Sequence, residues 1–443
     1  MKRRLAGLAM VAVFMSGQVA AQAPADLANL SLPMAEKLLL SNNRDIALAR
    51  SALEQARADV ITAGQKPNPQ LGLLTQNINR SRGIGSGSLR DKTVDSIVAL
   101  SQTFERGDKA GLRVATASLL TVAAGADLID VARVQLLAMR QAYFDLLAAQ
   151  ERLVTAGETV QLSARTLAAA NQRLRAGDLS GADVARIGVD DARARNDAAA
   201  VAADLARARV ALALLIAAEA DAAAIRAVAP WPAGDAVVDA PAIEELLERR
   251  PDVRAAATRV EAADRVRDLA RSLRSRDVTV NVQFEHYPAS DANPGGSGNS
   301  VGVGFSVPLF LRHSNEGEIA RAQADWYAAR DALQQVRGVA RAELLRVRGD
   351  LDAARERRAR FEAELLPRAI QSSNAAEFAF RNGAIGVMDL LDARRILKAI
   401  QAEAAGARAD FAKALAAWQA SAEPAPLLAR TVDDTVSGGE LQK

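Results

Sequence analysis

The chain has 443 residues, half of them apolar but only 4% aromatic, and alanine makes up about a fifth of it; such a composition packs helices closely and leaves little bulky core. There is no cysteine and there are two histidines, His286 and His313, which excludes disulfides, thiolate metal sites, cysteine nucleophiles and a lipidated N-terminal cysteine, and leaves little for a zinc centre or a histidine-based triad. The formal charge of +3 falls to about zero once Lys2, Arg3 and Arg4 are set aside with the leader, so nucleic-acid binding loses its electrostatic support.

Residues 1–21 read as a secretory signal peptide: three basic residues, an apolar stretch from Leu5 to about Phe14, then Val19-Ala20-Ala21 as a small-x-small cleavage signal. Cleavage after Ala23 is the second choice, because it places Pro24 beside the cut. The apolar run is shorter than the ~20 residues of a spanning helix. The most apolar later stretch, Val210–Ala218, ends at Glu219, so no transmembrane helix is expected.

A first helix is expected from about Pro33 to Lys66, with Pro33 suited to the first turn. Two strands follow, at about 70–79 and 94–104, joined by a Gly- and Ser-rich loop, Arg80–Lys92. From about Asp108 to Arg175 the pattern is one long helix, with a faint seam at Leu137, Phe144, Leu147 and Val154, roughly 100 Å tall at the helical rise. A glycine tip near 177–181 turns it back into a second helix. Residues 219–240 then form a linker.

The second half repeats the first. Asp45-Ile46 reappears as Asp252-Val253, Leu100-Ser101 as Phe305-Ser306, and Arg175-Ala176-Gly177 with Asp183 as Arg381-Asn382-Gly383 with Asp389, at offsets of 207, 205 and 206. One unit of about 200 residues is duplicated. Strands are expected at about 277–287 and 300–309. Val278, Val280, Val282 and Phe284 alternate with Thr279, Asn281, Gln283 and Glu285, and Val301, Val303 and Phe305 alternate with Gly302, Gly304 and Ser306. The second long helix carries a seam of steps of three and four from Ile319 through Ala322, Trp326, Leu333, Ala340, Leu344 and Leu351 to Ala354, the mark of a coiled-coil-like helix. Pro367 should kink or overwind it. A second tip lies near 382–387, and the polar tail Thr431–Lys443 reads as flexible.

Strands of about ten residues with apolar and polar faces have the length and pattern of membrane β-strands. The alternative is a pair of soluble hairpins, but hairpins set between long helices have nothing to pack against. Four strands cannot close a barrel, and open edges are not tolerated in lipid. Closure between chains follows, with three chains giving twelve strands.

These features resemble the TolC family of outer membrane efflux channels over nearly all of the mature chain. The most specific pieces are the duplication, the strand exit Phe305-Ser306-Val307-Pro308-Leu309-Phe310 with Arg312, Asn315, Gly317 and Ile319, and the tip segment Asn382-Gly383 followed by Val387-Met388-Asp389-Leu390-Leu391-Asp392-Ala393. The strand exit is most like the heavy-metal RND branch. The resemblance implies a mainly α fold with a membrane β-barrel part: a homotrimeric barrel in the outer membrane of a Gram-negative bacterium, continued by a periplasmic tunnel of helical hairpins. It implies contacts with outer membrane lipid, a periplasmic adaptor and an inner-membrane RND-type transporter. The expected organisation is a first repeat over 22–218, an equatorial linker over 219–240, a second repeat over 241–421 and a C-terminal equatorial segment and tail over 422–443.

Asp389 and Asp392 sit one turn apart past a glycine turn. They are either helix-start acids that complement the helix dipole or, as the family resemblance implies, the residues that narrow the periplasmic aperture. Asp183 matches Asp389, but Arg186 stands where a second acid would be. Gly177 and Gly383 read as helix C-caps. The tips carrying Gly177, Gly181, Asp183, Gly383 and Gly386 are where an adaptor would bind. The run Arg346, Arg348, Arg355, Arg357, Arg358 and Arg360 reads as a solvated helix face. His286 should end a strand and His313 begin a helix, both as rim residues rather than metal ligands. Gly302-x-Gly304 resembles a phosphate loop only weakly, since no helix start follows it. No nucleophile–base set, metal cluster or cofactor motif is visible, so no enzyme activity is expected. The function implied is a passive exit duct of a tripartite efflux pump for metal ions or drugs. Two alternatives remain: the channel of a type I protein secretion system and a periplasmic coiled-coil scaffold without a pore.

Overall fold

A computed structural model describes residues 26–78, 94–233, 242–289 and 295–422. The expected signal peptide, the loop Arg80–Lys92, part of the linker and the C-terminal segment from Glu423 lie outside the described residues.

The expected first helix is two helices, α1 (Leu32–Asn42) and α2 (Arg44–Gly64). Pro33 does sit in the first turn of α1. The break is at Asn43, whose backbone is extended and whose Oδ1 accepts from the N–H groups of Asp45 and Ile46 at 3.0 and 3.1 Å. An asparagine can end one helix and cap the next, because its side chain replaces the missing backbone acceptor. The second repeat breaks at the matching place, Arg250, between α5 (Ile243–Arg249) and α6 (Pro251–Ser272).

Between these helices and the long ones lie β1 (Gln70–Gln76), β2 (Asp95–Phe104), β3 (Val278–Tyr287) and β4 (Gly298–Ser306). They form one antiparallel sheet in the order β1-β2-β3-β4. β4 stops at Ser306 and not at Leu309, because Pro308 has no N–H to offer a ladder. β1 stops at Gln76, where Asn77 turns into the left-handed region.

Register sorts the side chains. Leu73 lies opposite Val98, Val98 opposite Phe284, and Phe284 opposite Val301. Leu71, Leu100, Val282 and Val303 form a second such row, and Val280 faces Phe305. Because cross-strand partners share a face, the middle of one side of the sheet is aliphatic or aromatic, with Gln102 toward the helices and Thr75, Ser96, His286 and Asn299 toward the far end. The other side carries Ser101, Asn281 and Gly304 in one row and Ala99, Gln283 and Gly302 in the next. Leu74 and Ile97, opposite one another, are large aliphatic exceptions on that side. Gly302 has a packing reason: a Cβ there would stand 3.0 Å from Gln283.

α3 (Lys109–Ala176) has 68 residues, about 100 Å by helical rise. It ends at Gly177, φ +83°, in the left-handed conformation of a C-cap. α4 (Gly181–Ile216) returns beside it. An 18-residue window within α3 has a mean hydropathy of 1.5, long and apolar enough to cross a membrane, contrary to the expectation that no such stretch follows the leader. Leucine, valine and isoleucine in the first half of α3 contribute to it, and α2, α4, α6 and α9 pack along the helix. The expected seam position Val154 is exposed; Leu153 faces the core in its place.

α7 (Glu316–Arg360) keeps the full expected seam buried or half-buried, from Ile319 to Ala354. Pro367 corrects the expectation of overwinding. The helix widens into a π turn, Phe361–Leu365, closed by Leu366 N–H donating to Phe361 O, before α8 (Leu366–Arg381) continues. A wider turn absorbs the bond that proline cannot donate. α9 (Val387–Ala422) completes the second hairpin.

The core lies where the halves meet at mid-height. Tyr143, Met139 and Leu146 of α3 pack on Leu39 and Ile46, and Trp418 and Phe411 of α9 pack on Leu344 and Val347 of α7. The chain after α4 folds onto this level. Leu30 bridges Ala227, Trp231 stacks on Phe144 at 6.1 Å, and Trp231 Nε1 donates to Glu151 at 2.7 Å.

Candidate functional site: the helical tips and the strand sheet

Both hairpins end in a glycine-led turn. Gly177 is followed by Ser180, whose Oγ accepts from Asp183 N–H at 3.1 Å and donates to the Asp183 carboxylate at 2.6 Å. Gly383, φ +73°, turns α8 toward α9, and Gly386 N–H donates to Asp389 Oδ2 at 3.2 Å. Both carboxylates reach back three residues, Asp183 to the Ser180 hydroxyl and Asp389 to the Gly386 N–H. Each is the third residue of its helix, placed to satisfy the helix start. Gly181 opens α4, and Gly386 immediately precedes α9.

Asp392 lies one turn further along α9 and accepts from Arg395 Nη1 at 3.0 Å. Arg395 also reaches Asp190 of α4 at 3.5 Å, and Lys398 reaches Glu158 of α3 at 3.2 Å. Arg394 holds Glu377 of α8. The first four turns of α9 are therefore tied to three other helices, beside a cavity of about 490 Å³ between α3, α4 and α9. The structure brings Asp389 and Asp392 together, exposed on one side of α9, while Leu390 between them is buried. Asp183 sits on the other tip and is not part of that pair. Arg395, Asp190 and Lys398 were not singled out in the sequence. Only the Asp392–Arg395 spacing of three on a helix could have pointed to one of them.

At mid-height a second polar cluster gathers half-buried acids around the buried Arg133 and Arg250. Arg250 Nη2 lies 2.8 Å from both Asp252 and Glu343, and Arg133 is 2.8 Å from Asp130 and 3.7 Å from Glu343. Ser421 of α9 donates to Glu343 at 3.4 Å. Burial opposes charge on Arg250, but its hydrogen bonds to Asp252 and Glu343 outweigh that and hold its pKa above the ordinary value. The same balance of burial against Arg250 leaves Asp252 below the usual carboxylate range. Burial raises Asp130. The cluster joins α3, α6, α7 and α9.

The basic run of α7 is not simply a solvated face. Arg357 pairs with Asp410 at 2.9 Å, and Arg358 lies over the Phe411 ring at 4.9 Å while donating to Pro232 O. Trp326, in the seam, has the Arg267 and Arg330 guanidinium groups over its ring at 4.9 and 4.8 Å. His286 is the penultimate residue of β3, its Nδ1 2.9 Å from Asn299 Oδ1, and His313 lies ahead of α7 rather than in it.

At the helix-bearing end of the sheet the strands are tied to the helices by charge. Arg113 grips Glu105 with both Nη atoms, and Lys109 reaches Asp277 at 2.7 Å. The Arg113 hydrogen bond holds Glu105 below its usual range. Asp277 is also lowered: burial opposes this, but the bonds from Lys109 and Arg106 N–H prevail. Asp108 and Asn315, at matching places before α3 and α7, both adopt positive φ.

The family described as outer membrane efflux protein matches residues 36–218 and 242–422. The cobalt-zinc-cadmium resistance protein CzcC of Cupriavidus metallidurans is 28% identical over 374 residues, 83% of this chain and 84% of the relative. Among solved structures, CusC superposes with a TM-score of 0.73 at 17% identity, covering 89% of this chain and 92% of CusC. The outer membrane protein VceC of Vibrio cholerae gives 0.70 at 19% identity, covering 89% and 96%. Each half of the match carries one helical hairpin and one strand pair, the arrangement built above from alternation, capping and register. The chain belongs to the outer membrane efflux protein family and is an outer membrane channel protein whose helical hairpins form its periplasmic tunnel.

Proposed function

We propose that the chain assembles as a homotrimer into the exit duct of a tripartite efflux pump, and that the pump exports divalent transition-metal cations. The observation that carries the duct is the sheet. It has one mainly apolar face and two edge strands, β1 and β4, whose outer edges have no partner among the described residues. Lipid does not tolerate such edges, so they close on neighbouring copies, and three copies give twelve strands. The duct then needs an energised partner, an inner-membrane RND transporter, and a periplasmic adaptor to bridge the two. The metal cargo is supported by the likeness to the cobalt-zinc-cadmium resistance protein over most of both chains.

In such a trimer Asp389 and Asp392 would place six carboxylates around the periplasmic aperture. The tips at Gly177, Gly181, Asp183, Gly383 and Gly386 would meet the adaptor. Residues 219–240 and 422–443 would form a belt at mid-height, and residues 1–21 would be removed on export.

The test is a deletion strain challenged with cobalt, zinc and cadmium, then with drugs, with secreted proteins measured in parallel. Increased metal sensitivity, restored by the intact gene, supports the cargo. Unchanged metal tolerance with loss of a secreted protein assigns the duct to protein secretion. Release of the protein from outer membranes by salt or alkali defeats the duct altogether.

A further inference from the structure

All four strands join their helices at the same end of the sheet. α2 leads into β1, β2 leads into α3, α6 leads into β3, and β4 leads into α7. One exposed cation stands just outside each strand at that end: Lys66 ahead of β1, Arg106 after β2, Arg276 ahead of β3 and Arg312 after β4. None of the four forms an ion pair among the described residues, although most other cations nearby do. Arg113 has Glu105, Lys109 has Asp277 and Arg271 has Asp268. The remaining acids at this level are accounted for or lie lower. Glu316 is held by Ser314 and faces Arg274, while Asp108 and Glu318 sit at the starts of the long helices.

Exposed apolar side chains sit just above these cations: Phe104 two residues before Arg106, and Leu309 and Leu311 on either side of Phe310 before Arg312. Leu311 is 85% exposed, and the Arg276 guanidinium lies over the Phe310 ring at 5.4 Å. Aliphatic and aromatic groups with arginine at their base match the depth profile of a leaflet: hydrocarbon first, then phosphate.

We propose that this rim binds the phosphate groups of anionic phospholipids in the periplasmic leaflet. Lys66, Arg106, Arg276 and Arg312 supply the charge, and Leu309 and Leu311 are immersed in the acyl boundary. The proposal concerns how the barrel seats in the membrane and is independent of the cargo. Near an anionic surface each cation contributes about 1 kcal/mol, roughly a fivefold preference.

The full-length assembly is extracted and offered equal mole fractions of phosphatidylglycerol and phosphatidylethanolamine in mixed micelles, and bound lipids are counted by native mass spectrometry. The wild type should retain phosphatidylglycerol preferentially. Arg276→Gln should lower the preference about fivefold, and the four-fold glutamine variant should abolish it. The variant Arg106→Lys/Arg276→Lys/Arg312→Lys keeps the charge and should keep the preference. Raising salt should weaken the wild-type preference, and inorganic phosphate should weaken it no more than chloride does at the same ionic strength.

A wild type without headgroup preference overturns the proposal, as would occur if the rim cations paired with acids of neighbouring protomers. So does a preference insensitive to salt, or one abolished by inorganic phosphate at an ionic strength where chloride leaves it intact. If the glutamine variant does not assemble, the lysine variant and the salt series still decide. Failure to enter bilayers at all would count against the channel reading and not against the rim alone.

Discussion

Asn43 and Arg250 stand at the same break in the two repeats, 207 positions apart, and solve it differently. Asn43 caps α2 with its own carbonyl oxygen and donates from Nδ2 to Leu215 O at 3.0 Å. Arg250 offers no cap. Pro251 and Asp252 open α6 instead, and the Asp252 carboxylate accepts from Val253 N–H. The arginine is thereby free to reach inward to Glu343. A duplicated unit has kept its backbone break while one copy acquired a buried ion pair.

Arg250→Ala should destabilise the fold by about 3–5 kcal/mol, because Glu343 and Asp252 lose the charge that compensates their burial. Arg250→Met with Glu343→Met should recover much of that loss, since an apolar pair of similar volume avoids desolvation. Thermal unfolding of the detergent-extracted assembly measures both. A single variant as stable as wild type would mean that water reaches the cluster.

Register places Val280 on the apolar face and Asn281 on the polar one, and both pair with β4. Val280→Arg should impair insertion at a cost of roughly 2–4 kcal/mol near the midplane, while Asn281→Arg should be milder. Outer membrane yield and heat-modifiable mobility report the difference. Equal losses at both positions would contradict the assignment of faces.

At the tip, Asp389 serves the helix start and Asp392 holds Arg395. Asp389→Asn/Asp392→Asn removes the charge while keeping oxygen acceptors, so a purely local role should tolerate it. If three chains converge there, single-channel recordings in planar bilayers should show weaker cation selectivity and weaker block by divalent cations from the periplasmic side. Barrel insertion should be unchanged, because the tip is about 100 Å from the sheet by helical rise. Conductance properties identical to wild type would leave both residues as helix-start acids.

Acid should loosen the junction between sheet and helices. Glu105 and Asp277 are held below their ordinary range in the folded protein. Their contribution is full above the unfolded carboxylate pKa and fades as pH falls through and below that range. Asp130 is raised by burial and works with the opposite sign, taking up its proton more readily in the folded chain. Glu105→Gln should therefore reduce stability near neutral pH and flatten the acid limb of the stability curve. Chemical unfolding followed across pH 3 to 7, about the range over which carboxylates titrate, checks this. A variant curve parallel to wild type would deny the pair its role.

Local chemistry wrote much of this architecture into the sequence. Alternation with period two marked β3 and β4, because a strand exposes successive side chains to opposite faces. Steps of three and four marked the α7 seam, and glycine marked both tips, because a left-handed cap disfavours a Cβ. The offsets near 207 exposed the duplication, and with it four strands that cannot close alone. The sequence left two readings of Asp389, and its hydrogen bond to Gly386 came only with the folded turn.

Other features depended on partners far along the chain. Arg358 reads as one more surface arginine until Phe411 and Pro232 arrive beside it. Glu343 is one acid among many until Arg250 and Arg133 converge on it. Arg395 meets Asp190 only because α4 and α9, 205 residues apart at that contact, lie side by side. Pro367 announced a disturbance, but that the helix widens there, and that Phe361 of the wide turn packs with Ala404 and Ala407 of α9, came only with the fold. A residue's charge and period are properties of the chain. What opposes that charge, and at what depth, is fixed only when helices distant in sequence share one core, because burial and pairing energies belong to the assembled pair and not to either residue.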